Sequence, residues 1–151
     1  MVKKALALIG LLSPKLKGII KRSGFSRLYL SDTEAGAAVH TESRENISTT
    51  DEGYKVVWKE GIMAITLDYF CKENNIYPNC IKIDTDGNEF KILKGASNTL
   101  KNSAMRSLII EMPLHNEKQS IACENILKES GFIPSWSNRE KTKNEVWTKK
   151  T

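Results

Sequence analysis

Three acidic residues lie at the ends of two apolar runs, and they are the residues of this chain best placed for chemistry. Asp84 and Asp86 follow the run 80–83, and Glu111 closes the apolar part of the run 107–112. If these runs are neighbouring strands of a parallel sheet, their carboxyl ends meet at the edge where ligands bind. A carboxylate buried there without a partner would cost free energy, so it calls for a ligand or a structural partner. The sequence therefore predicts one shared cleft for the acids at the two strand ends, Asp84 and Glu111, with Asp86 on the same edge.

A structural interpretation accounts for part of this pattern. Asp86 is placed to cap the following helix, with Glu89 three residues later to close a capping box. Gly87 would then allow the close approach of another group, because it has no side chain. Glu111 is also consistent with a structural acid that has found a partner. Asp84 is harder to explain in this way, because it comes one residue too early to act as the cap.

The remaining elements place these acids in an α/β fold. The patterning predicts strands at 27–31, 54–60, 61–67, 80–83, 107–112, 132–136 and 145–148, and helices at 68–75, 90–100 and 119–130. Residues 32–53 are polar and rich in small side chains, which predicts a loop. Alternating strands and helices favour a mostly parallel sheet covered by helices. The last two strands, joined by a short polar turn, are expected to form an antiparallel hairpin at the sheet edge.

Charge is unevenly distributed along the 151 residues. The net charge is +5, yet residues 1–31 carry seven lysines and arginines and no acid. We therefore separate a basic N-terminal arm, residues 1–24, from a domain at 25–151. Such an arm can bind nucleic acid or an anionic membrane, but it is more often a solvated segment. Because the rest of the chain is slightly acidic and the aromatic residues near the arm, Phe25 and Tyr29, are few, we expect neither nucleic acid nor membrane as a partner.

The cysteines and histidines argue against a metal site and against export. Cys71, Cys80 and Cys123 are an odd number without a CxxC pair, and the two histidines are isolated. The apolar run 5–12 resembles a short signal peptide, but no small-residue cleavage site follows it. We expect reduced thiols, no metal and a cytoplasmic location.

The stretch IKIDTDGNEFKILKGA at 81–96, followed by LIIEMP at 108–113, resembles the FkbM-type methyltransferases. The pattern of that family is KID-x-(D/E)-G-x-E-x-x-(V/I)-L-K-G-A, and then a strand with I-x-E. The segment ITLDYF at 65–70 is similar to the TLD segment of the family. The resemblance extends over residues 28–136 and is strongest over 62–113.

The resemblance implies a class I, Rossmann-like domain that uses S-adenosylmethionine to methylate a hydroxyl of a sugar or another small molecule. Residues 81–83 would form the fourth strand of its sheet and 107–112 the fifth. Asp84 would face the cofactor's sulfonium and the acceptor, and would orient or deprotonate the acceptor hydroxyl. Asp86 and Gly87 would line the cofactor side, and Glu111 would join Asp84 as a catalytic residue.

One family feature is missing from the sequence. Class I methyltransferases hold the cofactor on a turn of the type E/D-x-G-x-G, whereas the two closest glycines here, Gly18 and Gly24, are six positions apart. The sequence thus resembles the C-terminal half of such a domain, truncated, with weak cofactor binding by this chain alone. The alternative function is a non-catalytic binding or interaction module derived from the acceptor-side half of such an enzyme.

Truncation has a consequence for the sheet. In the family, strand four pairs with strand one, so the strand at 81–83 would have an open apolar edge. Residues 1–12 or 54–67 would cover it. Otherwise we expect self-association or pairing with a partner chain.

Overall fold

The computed structural model describes residues 6–9, 18–34, 40–50, 53–85 and 87–150. Within these residues the chain forms nine strands and four helices. The strands are β1 (Leu6–Ile9), β2 (Gly18–Ile19), β3 (Gly24–Leu30), β4 (Thr41–Ser43), β5 (Trp58–Ile65), β6 (Cys80–Ile83), β7 (Ser107–Glu111), β8 (Phe132–Asn138) and β9 (Asn144–Lys149). The helices are α1 (Leu67–Glu73), α2 (Glu89–Lys94), α3 (Ser97–Lys101) and α4 (Glu117–Glu129).

A five-stranded sheet, which we call the main sheet, carries the predicted cleft. Its order is β1-β6-β7-β9-β8. The strands β1, β6 and β7 run parallel, and β9 pairs antiparallel with both β7 and β8. The mixed α/β architecture and the antiparallel hairpin at the sheet edge are therefore confirmed.

Strand β1 pairs with β6 on the side opposite β7. The register runs from Leu6 opposite Cys80 to Ile9 opposite Ile83. The edge of β6 is thus covered from the segment 1–12, which was the first of the two alternatives. Because β1 and β2 lie in sheets, parts of the basic arm are paired, whereas the domain boundary at residue 24 stays a prediction.

The second sheet has four strands in the order β2-β5-β3-β4. The two strands predicted at 54–60 and 61–67 are in fact one strand, β5, which begins at Trp58. The prediction of a loop over 32–53 was wrong at β4, which lies within that range. The buried side chains of β4 are polar, so no apolar alternation marked it as a strand. Ser26 of β3 donates a hydrogen bond to the carboxylate of Glu42, and the Lys91 ammonium lies 3.9 Å from the same carboxylate. Polar burial of this kind leaves no apolar pattern in the sequence.

The hydrophobic core lies between the main sheet and its helices. It contains these buried residues: Leu67, Cys71, Ile81, Ile83, Ile92, Leu93, Ala96, Leu100, Met105, Leu108, Ile110, Met112, Cys123, Leu127, Phe132 and Trp147. The helix predicted at 90–100 carries the expected apolar face, but it is divided into α2 and α3. The division falls at Gly95, where a side chain would meet the backbone of Ile20.

The TLD segment, residues 66–68, connects α1 to α3. Thr66 caps α1 by accepting a hydrogen bond from the Tyr69 amide at 3.0 Å. The Asp68 carboxylate accepts hydrogen bonds from the amides of Asn98 and Thr99 at 2.9 and 2.7 Å. Asp68 therefore satisfies free amides in the first turn of α3. In the part of the chain that the structure describes, no helix is long and apolar enough to cross a membrane.

Candidate functional site

Asp84 and Glu111 meet at the carboxyl edge of the main sheet. The parallel register sets Ile83 of β6 opposite Ile110 of β7. Asp84 directly follows β6, and Glu111 is the last residue of β7, so each acid comes one position after this pair. The two carboxyls are close enough to share a hydrogen bond when one of them is protonated. The structure therefore brings the two acids together at one edge of the sheet, whereas a ligand cleft there stays a prediction.

Lys82 determines the charge state of Asp84. Its ammonium lies 2.5 Å from the Asp84 carboxylate, and both side chains are roughly half exposed. The hydrogen bond from Lys82 is the main reason why the pKa of Asp84 is lowered, and the contact with Glu111 lowers it further. Asp84 is thus the member of the pair that stays ionised.

Glu111 has the opposite character. Burial, followed by the hydrogen bond and the charge of Asp84, raises the pKa of Glu111 to about 7. Glu89 adds to this increase by its charge, and Lys143 opposes it. A carboxyl pair of this kind holds one proton, which resides on Glu111 below neutral pH.

Glu89 supports the loop that carries Asp84. It is the first residue of α2, it is buried, and its carboxylate accepts hydrogen bonds from the Thr85 hydroxyl at 2.8 Å and the Thr85 amide at 3.2 Å. Burial raises the pKa of Glu89, and the hydrogen bonds from Thr85 counteract the increase. Glu89 thereby ties the residue after Asp84 to the start of the helix.

The predicted capping box was wrong. The N-cap position of α2 is occupied by Asn88, so Glu89 begins the helix instead of lying three residues after the cap. Gly87 has φ 90°, a left-handed conformation that favours glycine. The backbone conformation therefore explains why the motif has a glycine at this position. Asp86 lies outside the described residues, and its predicted place on the cofactor side stays a prediction.

Lys143 is a site residue that the sequence analysis missed. It precedes β9, and its ammonium lies 3.8 Å from the Glu111 carboxylate. The contact depends on the hairpin between β8 and β9, because that hairpin places Asn144 opposite Glu111. The antiparallel hairpin was predicted, but its register was not, so no sequence signal marked Lys143.

A pocket of about 350 Å³ lies elsewhere, between α1, α3 and the loop before β6. Its lining includes Asp68, Tyr69, Tyr77 and Pro78. Pro78 precedes β6, whereas the acidic pair follows it, so the pocket and the pair lie towards opposite ends of that strand. Asp68, at the wall of this pocket, already accepts hydrogen bonds from the first turn of α3.

Neither a metal cluster nor a disulfide is found among the described residues. No group of three or more histidines, cysteines and acids there is arranged to hold a metal ion. Cys71, Cys80 and Cys123 are free thiols. Burial raises the pKa of Cys123 to about 12, so this thiol is not a reactive nucleophile.

Comparison with known proteins gives the family. The profile described as "Methyltransferase FkbM domain" matches residues 18–140, which is well over half of the chain. The chain belongs to the FkbM methyltransferase domain family. No curated protein and no solved structure matches it significantly.

Several motif residues of this FkbM domain have structural tasks that the structure identifies. Gly87 supplies a left-handed turn, Glu89 anchors Thr85, and Gly95 makes room for Ile20. Asp84 and Glu111 stand apart from these, because each faces the other acid at the sheet edge. The packing of the domain does not explain these two acids.

Proposed function

We propose that this FkbM domain takes part in the S-adenosylmethionine-dependent methylation of a hydroxyl on a sugar or another small molecule. The observation that carries the proposal is the Asp84–Glu111 pair, whose two proton affinities are pushed apart at the ligand-binding edge. The parallel pairing of β1 with β6 supports a Rossmann-like arrangement, since it sets a strand where the class I fold has its first strand.

The two acids would divide the work. Ionised Asp84 would accept a hydrogen bond from the acceptor hydroxyl and hold its oxygen in line for attack. Glu111, with its pKa near 7, suits the general base, because it is partly ionised at neutral pH and still basic. The hydroxyl proton would pass to the Glu111 carboxylate. We therefore move the role of base, assigned by resemblance to Asp84, to Glu111.

S-adenosylmethionine would supply the methyl group, and the residues present fit part of it. The negative charge of Asp84 suits the positive sulfonium, and Lys82 keeps Asp84 ionised. The sequence contains no E/D-x-G-x-G turn for the rest of the cofactor. We accordingly expect the chain on its own to bind the cofactor only weakly.

The missing turn also favours a second candidate function. A domain with the acceptor-side acids and no glycine-rich turn could serve as a non-catalytic binding module, either paired with another chain or self-associated. The free thiols at all three cysteines support the cytoplasm as the location in either case.

Calorimetric titration of the folded chain with S-adenosylmethionine separates the two candidates, with Asp84→Asn as the matched variant. Saturable binding that weakens in the variant would support a cofactor site at the acidic edge and would open a search among hydroxyl acceptors. A micromolar dissociation constant would contradict our expectation of weak binding. No heat from a chain that circular dichroism shows to be folded would favour the binding module.

A further inference from the structure

We propose that Lys143 is a positioning residue, which holds the Glu111 carboxyl at the sheet edge and helps it to release its proton. This role rests on the proposed function, in which Glu111 receives the acceptor's proton. Lys143 lies beyond residues 18–140, the range that the family profile matches. Its assignment therefore comes from the geometry of this chain.

The first support is the charge environment of Glu111. Asp84 approaches it from the end of β6 with Lys82 alongside, Glu89 faces it from α2, and Lys143 faces it from the hairpin. Among these groups, the Lys143 ammonium is the cation that acts directly on Glu111. Its side chain is 44% exposed and that of Glu111 is 30% exposed, so the contact is partly shielded from water.

The second support is how firmly the backbone of Lys143 is held. Its φ of 56° is left-handed, and its carbonyl accepts a hydrogen bond from the Met112 amide at 2.9 Å. The next residue, Asn144, donates from its side-chain amide to the Thr142 carbonyl at 2.9 Å. The Lys143 backbone is thus fixed directly beside the end of β7.

The third support is the anchoring of the hairpin itself. Arg139 forms an ion pair with the buried carboxylate of Glu145 and another with Glu124 of α4, the latter at 2.6 Å. The ion pair with Glu124 ties the hairpin to the helix layer, and the ion pair with Glu145, which lies within the hairpin, holds the Arg139 side chain in place. A lysine on such a support acts at a fixed place.

The two lysines of the site favour the ionised form of different carboxyls, and this decides which carboxyl holds the shared proton. Lys82, 2.5 Å from Asp84, favours the ionised form of Asp84 more strongly than Lys143, at 3.8 Å, favours that of Glu111. The proton therefore stays on Glu111 at low pH. The charge of Lys143 lowers the pKa of Glu111, so the proton is released at a lower pH than it would be without this lysine. Loss of the Lys143 charge would shift this release to higher pH.

The test is a titration of the Glu111 side-chain carboxyl by carbon-13 NMR in the full chain. The main variant is Lys143→Asn, because asparagine tolerates a left-handed backbone and removes the charge. Lys143→Arg keeps the charge, and Lys141→Asn removes a charge from an exposed position of the same hairpin. We expect the Glu111 midpoint to rise by about half a pH unit in Lys143→Asn and to stay near the parent value in the other two.

An unchanged midpoint in a folded Lys143→Asn chain would overturn the proposal. A shift of equal size in Lys141→Asn would also overturn it, since the effect would then come from net charge. The titration needs neither cofactor nor acceptor. A shifted midpoint in a folded chain that gives no calorimetric heat with S-adenosylmethionine would therefore count against the proposed function and leave the charge effect of Lys143 on Glu111 standing.

Discussion

The backbone carbonyl of Ile20 lies directly over Gly95, at the corner between α2 and α3. A Cβ atom built on Gly95 would come within 2.1 Å of the Ile20 oxygen. Ile20 is buried and donates its amide to Ile65 at the end of β5. This contact packs the residue after β2 of the second sheet against the helices of the main sheet, and it gives the glycine of the KGA motif a steric reason.

Gly95→Ala should destabilise the domain by about 1–3 kcal/mol, because either the Ile20 segment or the helix corner must move. Urea unfolding followed by circular dichroism measures the change. Gly61→Ala is the matched control, since a Cβ on this strand glycine meets nothing within 4 Å. Equal midpoints for the two variants would contradict the steric role of Gly95.

Glu111 should make the domain less stable as the pH rises. Its pKa is about 7 in the folded chain and close to 4.5 when the chain is unfolded. The folded state therefore binds the proton more tightly, so this contribution is fully present below pH 4.5 and is lost as the pH rises through about 7. Urea midpoints at pH 5 and pH 8 should differ more in the parent than in Glu111→Gln. Glu117→Gln, an exposed substitution, should behave like the parent, and an equal pH response in all three chains would refute the assignment.

Asp84→Asn should lower the pKa of Glu111. Asp84 raises it both through the shared hydrogen bond and through its negative charge, and the amide removes the charge. NMR titration of Glu111 would show the midpoint moving from about 7 towards 4.5. Glu140→Gln, at the exposed turn of the hairpin, should leave the midpoint in place. A midpoint that does not move in Asp84→Asn would mean that burial alone sets the proton affinity.

Arg139→Gln should destabilise the chain by about 2 kcal/mol, because the buried Glu145 carboxylate loses its charged partner. Glu145 keeps a hydrogen bond from the Trp147 indole at 2.8 Å, which limits the loss. Thermal unfolding measures the effect, and Lys141→Gln on the same turn serves as control. Unchanged stability in Arg139→Gln would show that the hairpin is held without this ion pair.

Apart from the capping box, features that depend on residues close together in the sequence were predicted, whereas features that depend on distant residues were missed. The strand before Asp84 and the strand ending at Glu111 have strong local apolar patterns, so their shared edge was predictable. The break between α2 and α3 was not, because it depends on Ile20, which is far away in the sequence. The predicted capping box matched a local sequence rule, but Glu89 bonds to Thr85 instead. Lys143 was missed for a similar reason, since only the hairpin register places it near Glu111.

The pairing of β1 with β6 also imposes an order on folding. Leu6 is synthesised long before its partner Cys80, so the first strand of the main sheet must wait until β6 has been made. Contacts between such distant residues carry a large loop-closure cost and form slowly. The hairpin of β8 and β9 needs only a short turn, so its closure costs less once both strands have been made. During synthesis the apolar residues of β1 therefore stay without their strand partner until residues 80–83 have been made.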